Sequence, residues 1–426
     1  MFKQILDLHN ENSNSFYAII LISLLPVSIV SSQILINVSV VIIDLLFLFL
    51  LIKQKNSHIF ENNLLRLLFL FWILILISLL FSINFNNSFP RSFGFLRFIL
   101  FIFAISYYLS FKKFKYFKFI LTIWLIVFIF ISLDLVGEYI FGKDIFGNVS
   151  YMPGRLSGVM GKELKIGNYY LGFYFFIIAA IATICREKKF LLITSIIIFT
   201  IVAFLIGERS NFLRILFGLI IFLFFWKEFK IKHKIYISIV LVCFISLTIF
   251  YTEKMRSRYY DIFVKNIAKN GISNYMYSSQ YGAHYSTAIK IFKNYPITGS
   301  GIKNFYDECL NKKYEDKKFS FYAQRCTTHP HQFHIEILSQ VGIFGYLFFL
   351  FIFIYFLGRG LILYNKNKNI FHLSCLIFIF VSIFIPAPTG SFFTTYGATI
   401  FWLNVGLGLA FENVKLKNSI IETNKS

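Results

Sequence analysis

His329-Pro330-His331-Gln332-Phe333-His334-Ile335-Glu336 runs without a break into Ile337-Leu338-Ser339-Gln340-Val341-Gly342-Ile343-Phe344-Gly345. The first half is polar and crowded with imidazole. The second half opens an apolar run reaching to about residue 357, long enough to cross roughly 30 Å of hydrocarbon as a helix. A proline, three histidines and a carboxylate at the lip of such a helix are more than packing requires. Imidazole exchanges protons near neutral pH, so a water–lipid boundary is a place where it can act on a half-polar substrate.

Outward from this stretch, most of the chain reads as further spans. Of the 426 residues, 57% are hydrophobic and 20% aromatic, and mean hydropathy is +0.69. Soluble domains average about 45–50% apolar residues. The excess comes in continuous rather than alternating runs, so membrane helices are expected over a barrel. The expected fold is all-α and polytopic, with about twelve spans and a large loop before the tenth. The expected divisions are 1–251 (nine spans), 252–333 (loop with short helices), 334–412 (three spans) and a tail, 413–426.

Net charge is +22 and pI about 9.6. The lysines are scattered through short connections rather than gathered on a soluble domain, so no nucleic-acid partner is expected. One alternating set of connections carries Lys53/Lys55, Lys112/Lys113/Lys115/Lys118, Arg186/Lys188/Lys189, Lys227/Lys230/Lys232/Lys234, Arg359/Lys366/Lys368 and Lys415/Lys417. The positive-inside rule puts that set, and both termini, in the cytoplasm. The outer face then bears 139–167, the short turn Gly207-Glu208-Arg209-Ser210, and 252–333. Met1 to Asn14 is polar and lacks a small-residue cleavage site, so no cleaved signal is expected.

Several side chains suit chemistry on that outer face. Arg209 lies in a turn too short to leave the membrane surface, and a guanidinium matches phosphate oxygens with a planar fork; the plainer reading is an arginine reaching lipid headgroups. Arg155 sits in the glycine-bearing Pro153-Gly154-Arg155-Leu156-Ser157-Gly158. Thr298-Gly299-Ser300-Gly301 has a phosphate-cradle look, although a tight turn after Pro296 explains it as well. His329, His331 and His334 invite a zinc reading, but their spacing is short and only Glu336 offers a fourth ligand. A general base flanked by Arg325 and Glu336 is the preferred reading, and no metal or cofactor is expected. Arg97, Arg214 and Asp44 fall inside spans, where charge is costly and faces a polar interior or an ion partner.

The order of these features resembles the O-antigen ligase and polymerase superfamily of bacterial envelope enzymes. It runs from Arg155-Leu156-Ser157-Gly158, through Arg209, to Ala288-x7-Pro296-x2-Gly299-x-Gly301-x3-Phe305, then His331 before Gly342-x2-Gly345. Gln332 and Gln340 stand where the family usually has Asn and Glu, and the loop arginine ahead of Pro296 has no match. His284 and Tyr285 stand nearby, with Arg325, Arg256 or Arg258 as substitutes.

The resemblance implies a glycosyltransferase of the bacterial inner membrane that moves glycan from a polyprenyl diphosphate carrier, with inversion, to an acceptor glycan or lipid A core on the periplasmic side. His331 would activate the acceptor hydroxyl and Arg209 would hold the diphosphate. Arg155, Arg325, His284, Glu336 and His334 are further candidates for binding substrate. A non-enzymatic flippase for lipid-linked oligosaccharide is the alternative, weakened by the absence of repeated halves. Cys309 and Cys326, the two cysteines of the outer loop, are expected to pair in an oxidising compartment.

Overall fold

The computed structural model describes residues 13–54, 62–109, 114–185, 187–227 and 229–412. Expectations for the start of the chain through residue 12, Lys55, Lys112, Lys113, Arg186 and the tail 413–426 lie outside the described residues. The described residues form helices and connections, with no strand among them.

The apolar runs fold as α1 (Ser13–Ser31), α2 (Gln33–Gln54), α3 (Asn63–Leu80), α4 (Phe85–Gly94), α5 (Leu96–Tyr108), α6 (Phe114–Phe141), α7 (Ile166–Ile184), α8 (Lys189–Leu205), α9 (Arg209–Phe225) and α10 (Ile231–Tyr251). After a π-helical stretch, Arg256–Lys265, come α11 (Asn266–Tyr277) and α12 (Gln280–Asn294). The chain closes with α13 (Phe333–Asn367), α14 (Ile370–Phe384) and α15 (Thr395–Phe411). Eight of the described helices, counting α4 with α5 as one, are long and apolar enough to cross a membrane, and α8, α14 and α15 are shorter apolar helices.

Continuous apolar runs bury all round, and three helices do so: α7, α14 and α15 form the centre of the bundle, with nearly every side chain buried. α5 packs along α15 and α3 along α13. α10 stands at the periphery with few buried side chains. This layering gives the molecule two ends. Gln54 and Tyr107 meet at one end, as do Arg359 and Glu412. Lys53, Lys188, Lys230, Lys366 and Lys368 sit in or beside the connections there. The other end carries the longer connections and a cap built from 252–333.

The cap has a small core of Ala288, Ile291, Phe305, Cys309 and Tyr314. Cys309 and Cys326 are joined across it, with Cα atoms 5.5 Å apart. Its attachment to the bundle is largely backbone. α13 is broken at Gly342 (φ 83°), and the freed polar groups pair with the segment after Pro296. Ile343 N donates to Pro296 O (2.9 Å), Ser300 N to Ser339 O (2.9 Å) and Gly301 N to Gln340 O (3.0 Å). A Cβ on Gly299 would fall on the Gln340 backbone, and one on Gly342 on the Ile297 carbonyl. The Pro-x2-Gly-x-Gly stretch is therefore a close-packed joint between cap and membrane helix, not a phosphate cradle.

Candidate active site

α13 begins where Gln332 accepts a hydrogen bond from Ile335 N (2.9 Å) through its side chain. That cap fixes the helix start, and Pro330 bars helix before it. His331, between them, takes the left-handed conformation (φ 57°). Such backbone in a non-glycine residue costs about 1–3 kcal/mol and persists only where neighbours enforce it. Here Thr389 N donates to the His331 carbonyl (2.8 Å), and the Tyr285 hydroxyl approaches it at 3.5 Å. The turn sends the imidazole into a cavity of about 600 Å³ at the cap end of the bundle, which Arg155, Glu208, Tyr281, Lys303, His329 and His331 share.

Three imidazoles cluster at its wall. The His331 ring lies 4.2 Å from His329 and 5.5 Å from His284, centre to centre. Burial, with His284 beside it, lowers His331 to about 4. Burial, with His331 and Lys303 adding to it, lowers His329 to about 3. Burial also lowers His284, whose Nδ1 lies 2.8 Å from the Arg325 carbonyl. A carbonyl only accepts, so that nitrogen carries the proton. All three rings are neutral near pH 7, the state in which an imidazole can take a proton.

Arg155 faces them. Its Nη2 lies 3.3 Å from Glu208 Oε2 and donates to Leu164 O (2.5 Å), while its buried Nε–H has no partner among the described residues. Buried donors are normally satisfied, and this unpartnered one belongs to a side chain that lines the cavity. The loop holding Arg155 is fixed from below by Glu138, which accepts from Gly158 N (2.7 Å) and Ser157 N (3.1 Å). It is fixed from the side by Leu156 N donating to Ile206 O (2.9 Å). The sequence reading passed over Glu138. The available signal was Asp134 and Glu138, two carboxylates one helical turn apart at the end of an apolar run.

The structure differs from expectation at four candidates. Arg209 does not line the cavity: it donates to the Arg258 carbonyl (3.4 Å) and lies over the Phe263 ring (5.5 Å). It occupies the first position of α9, and successive helical side chains turn by about 100°. Ser210, Asn211 and Arg214 therefore face the cavity and Arg209 faces the cap. Glu336 is buried beneath the 386–394 connection, accepting from Ser391 Oγ (2.5 Å) and Phe392 N (2.8 Å). His334 turns into the bundle, its Nε2 2.7 Å from Ile383 O and its Nδ1 3.3 Å from the Tyr346 hydroxyl. Arg325 is buried in the cap and bonds Tyr322 O (3.2 Å).

Glu336 and Arg214 instead position the site. Arg214 donates to Ala387 O (2.6 Å) and Pro388 O (3.0 Å). Together they hold the connection whose Thr389 fixes His331. Arg97 bonds Asn37 Oδ1 (2.8 Å) and Thr395 Oγ1 (3.0 Å), tying α5 to α2 and α15. With His334 turned away, the three histidines of the opening stretch do not converge on one point. No group of three metal-ligating side chains is found among the described residues.

Residues 171–350 match the family model described as O-antigen ligase. The matched stretch includes Arg209, the glycine joint and His331, and it supports the resemblance drawn from the motif order. It begins after Arg155. No curated protein matches the chain.

Proposed function

We propose that this chain, with its O-antigen ligase domain, transfers oligosaccharide from a polyprenyl diphosphate carrier to an acceptor hydroxyl at the outer face of a bacterial inner membrane. The family match supports glycan transfer of the ligase type in a multi-pass membrane protein in general. The finer reading is carried by one observation: His331 and Arg155 line the same cavity. That cavity lies at the end of the bundle away from the lysine-bearing connections, which the positive-inside rule assigns to the cytoplasm. Both termini then lie inside, the cap lies in the periplasm, and the Cys309–Cys326 pairing suits that compartment.

In the step itself the acceptor oxygen attacks the anomeric carbon as the bond to the diphosphate oxygen breaks. Attack from the side opposite the leaving group inverts the centre. The hydroxyl proton passes to His331. A base near 4 is weak alone, but the arriving diphosphate brings negative charge beside it, and such charge raises an imidazole's affinity for a proton. Arg155 meets the charge that grows on the departing diphosphate, and a fixed donor in the cavity wall is well placed to stabilise it. Arg209, beside Arg258 and outside the cavity wall, contributes only a more distant positive charge. A ligase, a polymerase and a protein glycan transferase would share this step and differ in acceptor.

Two experiments test the reading. In cells carrying His331→Ala at matched protein level, glycan product disappears and carrier-linked glycan accumulates; normal product refutes the assignment. In intact cells of a background without Cys185, Cys243 and Cys375, an impermeant thiol reagent labels Lys269→Cys and not Lys366→Cys. The reverse pattern refutes the orientation.

A further inference from the structure

α4 presents three strips of side chain. Taking about 100° per residue, Ser88 and Ser92 form a buried strip, and Ser88 Oγ donates to Ile302 O (2.7 Å). Next round the helix come Phe85, Phe89 and Phe93, exposed by 48%, 44% and 52% and stacked with ring centres 5.6 and 5.7 Å apart. Beyond them Asn86, Asn87, Pro90 and Arg91 line a second, open pocket of about 440 Å³, closed on its far side by Lys303, Tyr306, Asp307 and Thr328. Arg91, Lys303 and Thr328 belong to both hollows, so the pocket is an antechamber opening toward His329 and His331.

We propose that this antechamber binds the sugar residues of the acceptor, a membrane-anchored glycolipid whose chains lie along the Phe85–Phe89–Phe93 row. The lining carries two amides, a carboxylate, two hydroxyls, an aromatic ring and the cations of Arg91 and Lys303, a set of donors and acceptors that matches sugar hydroxyls. Asn87 Nδ2 already donates to Asp307 Oδ2 (2.6 Å), which preorganises the pair and costs the ligand nothing. Lys303 is held in place by a left-handed backbone (φ 72°) and by its N–H on Gln340 Oε1 (3.0 Å). The apolar row beside a polar pocket is the arrangement an amphiphile needs, with chains in lipid and head in water.

Position also separates acceptor from donor. Arg155, Glu208 and His331 line the main cavity, where the diphosphate is assigned, and the antechamber joins that cavity through Arg91, Lys303 and Thr328. This inference rests on the transferase reading above. The two are tested separately, because this one is read as binding and that one as turnover.

The probe is the deacylated oligosaccharide released from the host's own envelope glycolipid, titrated onto the full chain in nanodiscs. Binding to the wild type, weakened about tenfold or more by Tyr306→Ala and by Asn87→Ala, but retained in His331→Ala, is the expected result. Tyr306→Phe, which keeps the ring, binds more tightly than Tyr306→Ala. A second probe, sugar-free polyprenyl diphosphate, binds wild type and Tyr306→Ala alike. Binding of the oligosaccharide unchanged in Tyr306→Ala and Asn87→Ala, or absent from the wild type, overturns the proposal. So does loss of polyprenyl diphosphate binding in Tyr306→Ala, which would give the pocket to the donor. His331→Ala that binds the oligosaccharide and still turns over leaves this proposal standing and removes the transferase mechanism.

Discussion

The two ends of the bundle each bury a histidine, and the two are treated differently. At the lysine-bearing end, His372 has Nδ1 2.9 Å from Gly408 O and Nε2 3.0 Å from Gly360 O; a neutral ring has one N–H, so it ties α14 by a hydrogen bond to one of α15 and α13 and packs against the other. Around it Arg359 pairs with Glu412 (2.9 Å), and Asn369 caps α14 through Phe371 N (2.9 Å). At the cap end, His331 sits on strained backbone held by its carbonyl, and no hydrogen bond to its ring nitrogens is found among the described residues. Arg155 Nε, His329 Nε2 and Thr389 Oγ1 are buried there without partners. Satisfied polar groups hold helices together, and unsatisfied ones in a cavity wait for a ligand. The contrast between these two histidines gives His372 a structural part and leaves His331 free for the proposed chemistry.

The largest break in this contrast comes at the arginines. Arg155→Ala removes a donor that faces the cavity and lowers the transfer rate by about 10²-fold or more. Arg209→Ala removes a guanidinium turned toward Arg258 and costs at most about tenfold. Transfer rates in membranes at matched protein level check the order; equal losses would mean that Arg209 reaches the diphosphate after all. Next is the staple of the cap. Cys309 and Cys326 are 17 residues apart, and closing a loop of that size is worth about 3 kcal/mol. Cys309→Ser should lower the cap's unfolding midpoint, read by protease sensitivity of 252–333, and leave the lysine-bearing end unchanged.

The smallest effects are in pH. His331, His329 and His284 are all lowered by burial from the ordinary 6.5. Each ring binds a proton more readily unfolded than folded. Their contribution to stability is therefore complete above about pH 6.5 and is lost progressively as pH falls toward the folded values near 4 and 3. The unfolding midpoint should decline between pH 7 and 5, while kcat/KM for transfer, which reports the unliganded site, shows no break near 6.5 over the same range. A rate that halves near pH 6.5 would mean an exposed base rather than a buried one.

The sequence carried the helices because continuous apolar runs admit one solution in lipid, and it marked His331 as a candidate because imidazole at a span's lip stands out against a neutral background. It did not carry which neighbours of His331 share the cavity. His334 and Glu336 lie three and five residues further on; Ile383 and Tyr346 take the first, and the connection 386–394 covers the second. Arg209 was lost to phase: whether it or Ser210 faces inward depends on the residue at which α9 begins. Arg155 was legible as a candidate, but its fixing by Glu138 joins residues 17 apart in sequence across an irregular loop, a contact that no periodicity announces.

The most direct measurement compares His331→Ala with His372→Ala in the same membranes, counting glycan transferred per folded molecule. His331→Ala should lose about 10²–10⁴-fold in rate with its stability kept. His372→Ala should lose about 1–3 kcal/mol of stability, for the buried hydrogen bond it removes, with transfer per folded molecule unchanged. Full transfer by His331→Ala, or its loss in folded His372→Ala, would contradict the account.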